Sequence, residues 1–89
     1  MTDSIMQDGK YCYVTGRTDH LDKHHVYGAA NRKQSERYGC WVWLTHDVHM
    51  AAHQRQTEIL TQLRQECQEA FEAIHGHDKF MQVFGKNYL

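Results

Sequence analysis

The chain has 89 residues, 40% of them apolar and 24% charged, with a formal net charge of −1 and a mean hydropathy of −0.78. That length allows one small domain whose folding buries only about 60% of the unfolded surface, and no apolar run approaches the ~20 residues that span a bilayer. A net charge this close to zero gives no global attraction to nucleic acid, so any such binding must come from a local patch.

In chain order, Met1-Thr2-Asp3-Ser4-Ile5-Met6 lacks the basic and apolar segments of a secretory signal, which predicts a cytoplasmic chain. Three cysteines with no close pair fit that reducing compartment and do not suggest a disulfide framework. Residues 10–15 (Lys-Tyr-Cys-Tyr-Val-Thr) are β-prone and precede the turn chemistry of Gly16-Arg17-Thr18-Asp19, predicting a short strand or knuckle. Residues 21–27 alternate loosely between apolar and polar and read as a strand that ends at Gly28-Ala29-Ala30-Asn31. The polar stretch 31–39 reads as a loop in which Arg32, Lys33 and Arg37 oppose one acid, Glu36. Cys40-Trp41-Val42-Trp43-Leu44 is the clearest strand. A helix then begins at Thr45 or His46, with Asp47 in its first turn, where the helix dipole favours a carboxylate. Thr57 is placed to cap a longer helix in which Leu60, Leu63, Cys67, Ala70, Phe71 and Ile74 recur three or four residues apart, and Gly76 ends it. Residues 78–89 carry Phe80, Met81, Phe84 and Tyr88 on a short amphipathic element expected to fold back onto that helix. Strands followed by helices in one domain, residues 1–89, predict an α+β class.

Histidine is the compositional anomaly: eight residues, of which five (His24, His25, His46, His49 and His53) fall within a stretch of thirty. Imidazole is the commonest metal ligand and the only side chain that is ordinarily a base near neutrality. His49 and His53 stand four apart on the predicted helix, so both project from one face and can share a metal ion. His24 and His25 lie on a strand able to pair antiparallel with residues 40–44, which brings one of them beside the helical pair as a third ligand and leaves the other as a base. Neighbouring strand residues point to opposite faces, so using both requires the strand to end or twist there, as Gly28 allows. Three imidazoles leave coordination positions open, the mark of a catalytic rather than a structural site, and next to a basic stretch such a site suits phosphodiester hydrolysis.

The run Asp22-Lys23-His24-His25-Val26-Tyr27-Gly28-Ala29-Ala30-Asn31-Arg32-Lys33-Gln34-Ser35-Glu36-Arg37-Tyr38-Gly39, followed by Trp41-Val42-Trp43-Leu44 and by His49 with His53, resembles the small HNH endonucleases of bacteriophages. The ending, from Gly76-His77-Asp78 to Asn87-Tyr88-Leu89, is similar to the C-terminus of such proteins. The resemblance implies the ββα-metal (His-Me finger) fold, with a core over about residues 20–55 and a helical extension over about 56–89. It implies His25 as the general base, His24, His49 and His53 as ligands of one divalent ion (Mg, Mn, Ni or Zn), and DNA as the substrate; the local positive balance of Arg32, Lys33 and Arg37 makes their stretch the one expected to touch it. It also implies a phage-encoded protein acting in the cytoplasm of a bacterial host.

Two positions depart from the family pattern. The Asn that many members carry nine residues before the histidine matching His49 is Cys40 here, which leaves Asn31 as the candidate to orient the base. Where relatives hold a structural zinc on two CxxC pairs, Cys12 is followed by Thr15, and Thr45 and Val48 replace the second pair, so no structural zinc is expected. Trp41 and Trp43 are then expected in the core rather than stacked on DNA. The apolar stripe of the long helix is expected to pack within the chain, a homodimer along it being the alternative. Two competing functions remain: a non-catalytic interaction protein that reuses the scaffold to bind host protein or DNA, and a hydrolase of small phosphoesters.

Overall fold

Two five-residue strands, β1 (Leu21–His25) and β2 (Trp41–Thr45), pair antiparallel with His24 opposite Val42 and His25 opposite Trp41. The computed structural model describes residues 2–54 and 57–89, and its class is α+β. Between the strands lie a 3-10 turn (Ala29–Asn31) and helix α1 (Arg32–Tyr38); after them come α2 (His46–Gln54), α3 (Thr57–His75) and α4 (His77–Phe84). The side chain of Thr57, the expected cap, lies outside the described residues.

The segment expected to be a loop, residues 31–37, is instead helical from Arg32. Its composition presents no apolar stripe, so nothing in the local pattern announces a helix. Two tertiary features hold it. Ser35 is fully buried, its Oγ accepting from the Tyr27 backbone N–H at 3.1 Å and donating to the Tyr27 carbonyl at 2.6 Å, which fastens α1 to the chain leaving β1. The helix ends at Gly39, whose φ of +72° suits glycine and which a Cβ could not replace without striking the Asp3 carbonyl.

The predicted strand at residues 10–15 does not form either; these residues make a turn closed by the Cys12 N–H to the Arg17 carbonyl (2.7 Å) and the Gly16 N–H to the Cys12 carbonyl (2.8 Å). The knuckle half of the expectation describes it better. Cys12 Sγ accepts the Thr15 N–H and lies 3.8 Å from Thr45 Oγ1, so three of the four positions compared with a zinc knuckle, Cys12, Thr15 and Thr45, do converge.

The strands, α3 and α4 share one core. Val26, Tyr27, Val42 and Leu44 meet Leu63, Cys67 and Phe71 of α3, spaced four apart on one face, and Phe80 and Phe84 of α4. Tyr27 sits at the centre, its ring 5.5 Å from Phe80 and 4.5 Å from Phe84, its hydroxyl donating to the Arg64 carbonyl at 2.6 Å. The fold-back of the last helix is therefore as expected, and Leu63, Cys67 and Phe71 of the α3 stripe are buried within the chain. Ile74 of the same stripe is 60% exposed and Leu60 and Ala70 are half-buried, while polar Gln68 takes a buried place by bonding Glu72, Asn87 and the Tyr88 backbone. Residues 2–7 cross β2: Ser4 Oγ donates to the Trp41 carbonyl, Trp41 Nε1 donates to the Thr2 carbonyl and the Trp43 N–H donates to Gln7 Oε1. Trp41 is buried by this cover and Trp43 half-buried. No helix among the described residues is long and apolar enough to cross a membrane.

Candidate metal centre

Antiparallel pairing decides where the two adjacent histidines go. Directly opposed residues share a face, so His24 lies on the Val42 side of the sheet and His25 on the Trp41 side. The His24 ring meets those of His49 and His53 on α2, centroids 5.3 and 5.8 Å away, and His25 meets Glu36 on α1. Because β1 ends at His25, both rings still border one shallow cavity of about 240 Å³, lined also by Lys23, Gly28, Ala29, Arg32, His49 and His53. The strand end anticipated at Gly28 thus comes slightly earlier, and it serves the same purpose.

Ligand nitrogens of His24, His49 and His53 all lie within 4.8 Å of one another, close enough to hold one metal ion. His49 and His53 are one turn apart on α2 and their Nε2 atoms are 2.9 Å apart. Two observations fit a cation at this point. His24 is 5% exposed, yet its Nε2 has no hydrogen-bond partner among the described residues, a cost that a buried polar atom ordinarily avoids. Burial first, and then the neighbouring His49, His53, His25 and Arg64, push its pKa down to about 4, so at neutral pH the ring is uncharged with a lone pair to give.

Asp22, two residues before His24 and on the same side of β1, completes the geometry. Its Oδ2 accepts from His49 Nδ1 at 3.1 Å and from His46 Nδ1 at 2.8 Å, and these bonds, His46 first, hold its carboxyl below the usual carboxylate range. A carboxylate on Nδ1 fixes the His49 tautomer with the hydrogen on Nδ1 and the lone pair on Nε2, the arrangement that supports metal-binding histidines. Sequence reasoning assigned Asp22 no role; the i, i+2 relation to His24 on a strand was the available signal.

Of the other expected site residues, Arg32 lines the cavity, whereas Lys33 and Arg37 are exposed, one turn apart on α1, and do not. Asn31 is turned elsewhere: its Nδ2 donates to the Phe84 carbonyl at 3.4 Å. The contact to His25 expected of Asn31 is made instead by Glu36, whose Oε1 lies 3.1 Å from His25 Nε2. Ala29, on the cavity wall, has a φ of +52°, a left-handed conformation uncommon for a residue with a Cβ. Comparison with known proteins finds no matching family model, no matching curated protein and no matching solved structure.

Proposed function

We propose that this chain is a metal-dependent DNA endonuclease or nickase of the HNH class, built on a ββα-metal core in which β1, β2 and α2 carry the site. The observation that carries the reading is the convergence of His24, His49 and His53 around one point, with His25 bordering the same cavity from the opposite face of the strand. The three imidazoles would hold a single divalent ion, which would supply neutralisation of the charge that builds up in phosphodiester hydrolysis. An all-nitrogen donor set favours a transition metal over magnesium.

The remaining chemistry belongs to the chain's own residues. His25 takes a proton from water as the water oxygen forms its bond to phosphorus, and the bond from phosphorus to the opposite sugar oxygen breaks, that oxygen leaving with the electron pair and taking its proton from solvent. Arg32, at the cavity edge, pairs with a phosphate oxygen, and Lys33 with Arg37 on the adjoining face of α1 holds the flanking backbone. α3 is unsuited to that task, since Glu58, Glu66, Glu69 and Glu72 outnumber Arg64 along it.

The test is conversion of supercoiled plasmid to open circles by metal-stripped protein, with Mg, Mn, Ni or Zn added back singly and His25→Ala run alongside. Metal-dependent nicking that the variant lacks, while still binding the ion, is the expected result. Folded protein that nicks with none of the four ions refutes the enzyme and leaves the binding module in its place.

A further inference from the structure

Glu36 is the one acid of α1, and its position follows from the packing of that helix. Ser35, clamped to both the N–H and the carbonyl of Tyr27, fixes α1 against the end of β1 and so sets the next residue over the outer face of the strand. There the Glu36 carboxylate receives Lys23 Nζ at 3.0 and 3.1 Å and His25 Nε2 at 3.1 Å. Lys23 and His25 are two apart on β1 and therefore share that face. Lys23 is itself held, its ammonium 4.1 Å from the centre of the Trp41 ring. His25 and Lys23 are 13% and 19% exposed at the side chain, so the two partners are shielded while the Glu36 carboxylate between them is half-exposed.

We infer that Glu36 is the positioning residue for His25. A carboxylate on Nε2 requires that nitrogen to carry the hydrogen, which puts the lone pair on Nδ1 and stops the ring from turning. Lys23 balances the charge and holds the carboxylate in place. Glu36 thereby does the work of orienting the base at a site where Cys40 stands in the place of the family's Asn and where Asn31 is bound to Phe84. This inference rests on the reading of His25 as the base.

Glu36→Ala removes the carboxylate, and Glu36→Gln keeps the size and one acceptor oxygen without the charge; the position is 37% exposed at the side chain, so both variants are expected to fold. Nicking at saturating metal is measured together with metal affinity by calorimetry and with the His25 tautomer by nitrogen-15 NMR. The expected result is a 10–100-fold fall in kcat for Glu36→Ala, the size typical of losing a partner that orients a site histidine, with KM and metal affinity unchanged. Wild type should show the hydrogen of His25 on Nε2, and Glu36→Ala a mixture of the two tautomers. A kcat within twofold of wild type for Glu36→Ala, or a wild-type His25 with its hydrogen on Nδ1, overturns the inference and leaves the nuclease standing. Wild type that fails to nick with any of the four metals refutes the nuclease itself, and this role with it.

Discussion

Acidifying the metal-free protein should weaken it through His24 before any carboxylate is touched. His24 is 5% exposed and its pKa is pushed down to about 4, by burial first and then by the neighbouring histidines and Arg64, against the 6.5 of an ordinary histidine. Below pH 6.5 the unfolded chain accepts a proton at this position that the folded chain refuses, so stability falls with falling pH across the window from 6.5 to 4. At 1.36 kcal/mol per pKa unit the full loss is about 3 kcal/mol, of which about 2 kcal/mol should be gone at pH 5. For a chain of this size, whose whole stability is of order 4–13 kcal/mol, that is a large share. Urea unfolding in the presence of a chelator, followed by the fluorescence of Trp41 and Trp43, should show the midpoint falling by roughly 1–2 M between pH 7 and pH 5. His24→Leu fills the same buried place without a titrating group and should remove most of that dependence. Asp22, Glu36 and Glu72, held below the usual carboxylate range by their partners, lose their contribution only at lower pH and equally in both proteins, so the difference between the two curves isolates His24. A wild-type midpoint that does not move between pH 7 and 5, or one that moves identically in His24→Leu, refutes the burial argument.

Two further outcomes follow from the site. Asp22→Ala frees His49 Nδ1 and should weaken divalent-metal binding 10–100-fold in calorimetry; unaltered affinity would remove the carboxylate from the support of the centre. Replacing Arg32, Lys33 and Arg37 together by alanine should flatten the dependence of DNA affinity on salt, by about 0.9 in slope for each phosphate the variant no longer neutralises. An unchanged slope would show that DNA is met by another face.

Local pattern alone determined a good deal of this protein. The apolar run at residues 40–44, the i, i+4 pair His49 and His53, and the spacing of Leu63, Cys67 and Phe71 each reflect the period of one element, which a short window of sequence contains. The same window contains no period for α1, which is polar all round apart from Tyr38, so it reads as a loop. Its helical state depends on the bonds between Ser35 and Tyr27 and on the chain closing over Gly39. Only the tertiary structure decided which acids serve the histidines. Glu36 is 11 residues from His25 and Asp22 is 27 from His49, and such pairs exist only once α1 and α2 pack against opposite faces of β1. Composition and spacing can nominate an imidazole as a ligand or a base because those capacities are intrinsic to the ring. Which nitrogen carries the hydrogen depends on which of the two meets the acceptor, and that is set by packing.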